Sequence, residues 1–189
     1  MRTTEKRLDQ IYGIVTSEDF LARRGLGNEI SFFIFDYDPE DELLVRAHIE
    51  KLVSRLNSPS SPRRVIEFNL YAILLEILQE ENLLDGMASF EKEYDREYVQ
   101  EAISSLAAPD VYVELINKRF QGYEMIFLTG IGMVWPFIRS HTVLNNLHFI
   151  LEKTPLVMFF PGRYDGVELR LFSKIGDDNY YRAFPLIPR

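Results

Sequence analysis

Two places in the sequence set reactive residue types directly behind an apolar run. Phe35-Asp36-Tyr37-Asp38 places two carboxylates two residues apart at the end of the run over residues 30–36. A metal-dependent phosphotransferase can hold magnesium with such a pair, because the ion takes carboxylate oxygens and keeps its remaining waters. The same residues have a structural use. Asp38 stands before Pro39 and can cap the helix that follows, and Asp36 can cap or turn. The second place is Thr129-Gly130-Ile131-Gly132, half of the glycine spacing that cradles a phosphate. The full glycine fingerprint is absent, and no Gly-Lys-Ser/Thr occurs in the chain. Glycines that let a sharp turn leave a strand explain the segment equally well.

The other reactive residue types form no complete constellation. His141 and His148 lie seven apart and share a helix face, whereas helical metal pairs sit three or four apart; His48 stands alone. There is no Gly-x-Ser-x-Gly elbow. The chain has no cysteine, which excludes disulfides, thiolate metal sites and a thiol nucleophile. No residue is therefore assigned as catalytic, cofactor-binding or metal-ligating. Two turn regions hold the residues most suited to a partner. In Pro161-Gly162-Arg163-Tyr164-Asp165-Gly166, the side chains of Arg163, Tyr164 and Asp165 can meet an anion or a partner carboxylate. Alternatively, Arg163 and Asp165 form a local salt bridge that shapes the turn. Asp177, Asp178 and Tyr180, with Tyr181 and Arg182, make a second polar–aromatic cluster. Interfaces favour tyrosine and arginine. The candidate partner-binding residues are Arg163, Tyr164, Asp165, Asp177, Asp178 and Tyr180.

The elements that must position these residues follow from periodicity. Leu8, Ile11, Ile14 and Val15 predict a helix over 5–16. Ser17 is placed to cap a second piece carrying Phe20 and Leu21, which stops at Gly25-Leu26-Gly27. Residues 30–36 read as a strand buried on both faces. Asp38, Pro39 and three following acids mark a helix start, and the loop over 57–62 ends that helix. A strand over 65–70 leads into a helix ending near Glu81. Residues 87–121 form a helical insert, broken near Ala108-Pro109, capped in its second half by Asp110 and ended by Gly122. It is acidic at Glu91, Glu93, Asp95 and Glu97. Further expectations are a strand over 123–128, a helix over 136–152 and a strand over 155–160. Val167, Leu169 and Leu171 alternate with Glu168 and Arg170, and 180–187 reads as a last strand after the turn at 176–179.

Apolar strands separated by helices imply crossover connections and a mostly parallel sheet. The expected architecture is a three-layer α/β fold with helices on both faces, a helical insert and a C-terminal antiparallel hairpin. With 189 residues, 47% of them hydrophobic, and no duplication, one domain over 1–189 is expected. The start, Met1-Arg2-Thr3-Thr4-Glu5-Lys6-Arg7, is polar and reads as no signal peptide. The most apolar run, 124–137, is broken by Gly130, Gly132 and Pro136 and is too short to span a bilayer. A cytoplasmic location is expected. The net charge of −8 disfavours direct nucleic-acid binding.

Gly27-Asn28-Glu29, then Phe32-Phe33-Ile34-Phe35-Asp36-Tyr37 and Pro39-Glu40-Asp41-Glu42, resemble the start of the BrxB family of BREX (bacteriophage exclusion) systems. The tail agrees, with Phe159-Phe160-Pro161-Gly162-Arg163-Tyr164-Asp165-Gly166, Leu169-Arg170-Leu171-Phe172 and Asp177-Asp178-Asn179-Tyr180-Tyr181-Arg182-Ala183-Phe184. Residues 85–121 carry little of the match. The resemblance implies a non-enzymatic adaptor or assembly subunit of a phage-defence complex. It implies association with the PglZ-like component, a relative of alkaline phosphatases, and with other BREX components. No active-site signature comes with it, and no cofactor is expected. The alternative is a degenerate nucleotide-binding or phosphoryl-handling domain that regulates the complex. The incomplete phosphate loop predicts that purified protein turns over neither ATP nor GTP above background. Turnover that tracks with the protein and vanishes in Asp36→Ala would overturn this reading.

Overall fold

A computed structural model describes residues 3–18, 20, 31–148, 154–176 and 183–189. Four apolar runs become the central strands: β1 (Phe32–Tyr37), β2 (Val65–Asn69), β3 (Met125–Thr129) and β4 (Leu156–Tyr164). They join in the order β2-β3-β4-β1, all parallel. β1 and β4 pair through six positions, from Phe32 opposite Leu156 to Tyr37 opposite Pro161. Every residue of β1 is buried, as a central parallel strand covered on both faces requires.

Alternation splits these strands between two cores. Phe32, Ile34, Ile126, Leu128, Leu156, Met158 and Phe160 face one layer of helices. Phe33, Phe35, Tyr37, Met125, Phe127, Val157 and Phe159 face the other. The second face is covered by α1 (Thr3–Val15), through Leu8, Ile11 and Val15, and by α2 (Glu42–Leu56), through Val45, Ile49, Leu52 and Leu56. The first face is covered by α3 (Leu70–Glu80), the insert and the helices after β3. The insert is α4 (Met87–Glu93), α5 (Arg96–Leu106) and α6 (Pro109–Arg119). Fully burying a leucine or isoleucine contributes roughly 1.5–3 kcal/mol, so these stripes are what hold each helix to the sheet.

Local expectations met different fates. Ser17 Oγ accepts the Phe20 N–H at 3.3 Å, as a cap should; residues 21–30, with the expected glycine stop, lie outside the described set. Asp38 takes the N-cap position, but before a 3-10 turn over Pro39–Asp41, and its carboxylate makes no capping bond. Asp110 is not a cap either. Ala108 holds that position, Pro109 follows, and Asp110 falls in the first turn. The insert's side-chain cap is Asp95, whose Oδ1 accepts the Tyr98 N–H at 2.8 Å. In place of one helix over 136–152, α7 (Ile131–Val134) ends at a cis Trp135–Pro136 bond and α8 (Ser140–His148) follows; 149–153 lie outside the described residues. Proline at 136 cannot continue α7 because it has no N–H to donate.

The antiparallel ending is present with its own partners. β4 runs on to Tyr164, β5 (Leu169–Leu171) folds back on it, and β6 (Ile175–Gly176) pairs with β5. The last strand, expected over 180–187, is β7 (Phe184–Pro185), and it joins β1 in parallel at the sheet edge. Leu186 and Ile187 then enter the core under α1 and α2, which explains why the chain returns to this edge.

Two glycines are required by contact. Gly130 has φ +74°, and a Cβ there would stand 2.2 Å from Asn69 Oδ1, the oxygen that caps α3. A Cβ on Gly162 would stand 2.1 Å from the Arg170 carbonyl oxygen. Gly13 is the opposite case, an exposed helical glycine with open space around it. Gly13→Ala is expected to raise stability by about 0.5–1 kcal/mol. Gly130→Ala is expected to lower it by more than about 1 kcal/mol, since left-handed strain adds to the lost cap. Urea unfolding of both variants checks the two signs.

Candidate functional site

The carboxyl end of β1 is closed by charge pairing. Asp36 is 6% exposed and Arg7, on α1, 5%. Asp36 Oδ1 accepts Arg7 Nη2 at 2.9 Å, while Oδ2 accepts Arg189 Nε at 2.9 Å and the Tyr164 N–H at 3.3 Å. Arg7 also donates Nη1 to the Asp36 carbonyl at 2.6 Å and Nη2 to the Ile187 carbonyl at 2.7 Å, and its guanidinium lies 4.6 Å from the centre of the Phe35 ring. Arg189 donates Nη1 to Asp38 Oδ1 at 3.0 Å and Nη2 to the Gly162 carbonyl at 2.9 Å. Burial works against the Arg189 charge, but the Asp38 and Asp36 carboxylates outweigh it and raise its pKa. The paired acids of the sequence are thus joined by one arginine. Both Asp36 oxygens are occupied, which leaves them no role as magnesium ligands in this arrangement.

The other strand ends open onto a cleft. A cavity of about 490 Å³ lies where β2 and β3 end beside α2, with Tyr37, Glu42, Arg46, Glu67, Asn69 and Thr129 among its walls. Glu42 is its most connected group. Tyr37 donates its hydroxyl to Glu42 Oε2 at 2.6 Å, and Arg46 donates Nε to Oε1 at 2.7 Å. Burial, then the Glu42 charge, push the Tyr37 pKa upward, so the phenol stays a donor. Thr129 donates to Glu67 Oε1 at 2.6 Å. Arg119, also in the wall, donates to both oxygens of Glu76. Both wall guanidiniums are therefore already matched by carboxylates. A phosphate entering here meets Glu42, Glu50, Glu67 and Glu76 and displaces an existing pair. The Gly130 turn borders this cleft, and its glycine is explained by the close approach to Asn69.

The candidate partner residues divide by role. Arg163 is exposed, and its side chain makes no hydrogen bond or ion pair with a described residue. The local Arg163–Asp165 bridge does not form. Asp165 Oδ1 instead accepts the N–H groups of Val167 and Glu168, at 2.9 and 2.8 Å, which hold its pKa below the usual value, Glu168 foremost. Tyr164 donates its hydroxyl to the Ala183 carbonyl at 2.7 Å. The turn expected over 161–166 begins only at Asp165: Arg163 lies in β4 opposite Arg170 of β5, Asp165 braces the turn that follows, and Tyr164 ties the strand to the tail. Asp177, Asp178 and Tyr180 lie outside the described residues, as do the side chains of His141 and His148. Among the described residues no cluster of His, Asp or Glu has the makings of a metal site. His48 is half-buried, and burial lowers its pKa.

Sequence reasoning found Asp36 but missed Arg7 and Arg189. Each is a lone arginine with no local signature, and its partners lie 29 and 153 residues away. Removing Asp36 leaves the Arg7 charge buried without its counter-charge. Asp36→Ala is therefore expected to lose about 3–5 kcal/mol of stability, while the more exposed Asp38→Ala loses under about 1 kcal/mol. Denaturant titration of the two variants checks this ordering. A similar loss in both would mean that Asp36 carries no special share.

Comparison with known proteins identifies the family. The family described as BREX protein BrxB matches residues 66–186. A BREX protein BrxB of Bacillus cereus (strain H3081.97) is 47% identical over 193 residues, covering 100% of both chains. A BREX protein BrxB of Escherichia coli O9:H4 (strain HS) is 33% identical over 186 residues, covering 97% of this chain and 92% of its own. No solved structure matches the chain. With a family match across most of its length and relatives aligned nearly end to end, the chain belongs to the BrxB family of BREX phage-defence systems.

Proposed function

We propose that the chain is a non-enzymatic adaptor or assembly subunit of its BREX complex, and that its direct partner is the PglZ-like component. Membership in the BrxB family supports partners drawn from the other BREX components. The observation that carries the adaptor reading is the state of Asp36. In open parallel sheets, ligands bind beyond the carboxyl ends of the strands. Here the central strand end is filled by Arg7, Arg189 and the Tyr164 N–H. The neighbouring cleft favours no phosphate, because its guanidiniums are already paired with carboxylates. Among the described residues no helix is long and apolar enough to cross a membrane.

Arg163 is the first contact to test. It is exposed near the end of β4, its backbone held in the ladder opposite Arg170, and a pre-positioned arginine gives large contact area at little ordering cost. Asp177, Asp178 and Tyr180 are proposed as further contact residues. In pull-downs of the purified PglZ-like component, Arg163→Ala and Asp177→Ala are expected to weaken binding about tenfold, the effect of an interface anchor, with unchanged melting curves. Asp165→Ala is expected to lower melting as well, since it releases the turn. Full binding by both Arg163→Ala and Asp177→Ala would remove these residues as energetic anchors.

A further inference from the structure

We propose that the helical insert carries a docking shelf for an arginine-bearing, basic segment of a protein partner, with Tyr94 and Tyr98 as its floor. The proposal deepens the adaptor reading and rests on it for the existence of a protein partner. Three aromatic rings meet where α4 passes into α5. Phe90 and Tyr94 have ring centres 4.9 Å apart, and Tyr94 and Tyr98 stack at 4.8 Å with 22° between their planes. Phe90 anchors the group by packing against the core. The tyrosines face outward, 41% and 51% exposed. α4 buries no residue, and residues 91–98 are all exposed. The stack therefore rides on the surface, with about half of each tyrosine open to solvent.

Charge identifies the occupant. Residues 80–101 hold eight acids against two bases, a net of −6 in a chain of net −8. None of these eight carboxylates forms an ion pair with a described residue. Six acids elsewhere, Asp36, Asp38, Glu42, Glu76, Glu124 and Glu168, each hold an arginine. Within the insert, Glu91, Glu93, Asp95 and Glu97 flank the tyrosines in sequence with only Lys92 and Arg96 between them. A guanidinium is the group that suits both features. It lies flat on an aromatic face and presents a fork of donors to a carboxylate. An ammonium matches the charge but not the stacking plane. A phosphate backbone matches neither, since like charge repels it.

The test uses the full chain and two labelled decapeptides of alternating serine, one with arginine and one with lysine, followed by fluorescence anisotropy. The arginine peptide is expected to bind more tightly than the lysine peptide and to weaken as salt rises. Tyr94→Ala/Tyr98→Ala is expected to weaken it about tenfold, two exposed cation–π contacts' worth, with unchanged melting. Glu91→Gln/Glu93→Gln/Glu97→Gln should flatten the salt dependence. Equal binding of both peptides, undiminished binding by the tyrosine variant, or preferential binding of duplex DNA would overturn the shelf. The same tyrosine variant is then offered to the purified PglZ-like component. Lost capture supports the shelf as the partner surface. Retained capture overturns the shelf in that role and leaves the adaptor reading standing. If the wild-type chain captures no BREX component, the adaptor reading fails, while the peptide arms still decide the shelf's chemistry.

Discussion

A buried carboxylate between two guanidiniums is the constraint around which this molecule closes. Taking an aspartate out of water costs several kcal/mol unless its charge is matched and its lone pairs are filled. Asp36 meets both conditions by drawing Arg7 from α1, Arg189 from beyond β7 and the Tyr164 N–H from the end of β4. Each partner brings its own element to the carboxyl end of β1. Arg7 also holds the Ile187 carbonyl, and Arg189 holds the Gly162 carbonyl. One acid thus fixes where α1, the tail and the β4 extension stand relative to the sheet.

That arrangement explains why the reactive-looking residues of the sheet divide as they do. Around β1 the polar groups serve one another. Around β2 and β3 they line an open, acidic cleft whose cations are matched. Farther out, the end of β4 and the insert leave charge unmatched, of opposite sign in the two places: Arg163 on one, the carboxylates near Tyr94 on the other. Unmatched exposed charge steers association and selects partners more than it stabilises a fold.

Most of the sheet was legible in the sequence because parallel strands buried on both faces leave apolar runs, as at 30–36, 123–128 and 155–160; the edge strand β2, only partly buried with Glu67 and Asn69, was legible as a shorter run between helices. The break at Pro109 was legible from local chemistry, but the turn read over 161–166 begins only at Asp165, because β4 continues through Tyr164. Partners far apart in sequence were not. Asp38 had every local mark of a capping carboxylate, yet Arg189 takes it across 151 residues. Pairing of Asp165 with Arg163 was one of two readings, but two backbone N–H groups nearer to it take the carboxylate. The last strand was expected to pair in a hairpin, but the apolar Leu186 and Ile187 seek the core beneath α1. In each case the local reading named a feasible bond, and tertiary placement supplied a better one.

The span of the Arg7 bonds bears on how the fold opens and closes in time. Arg7 touches Asp36 and Ile187, the latter 180 residues away, so the junction cannot form until almost the whole chain is in place. Loop closure over such a distance pays its entropy before any contact repays it. Release of the tail uncovers Arg7 together with one side of Asp36, and the desolvated charges that remain make partial opening unfavourable. The tail, α1 and the end of β1 should behave as one cooperative unit, exchanging their amide protons together and opening at nearly the free energy of global unfolding.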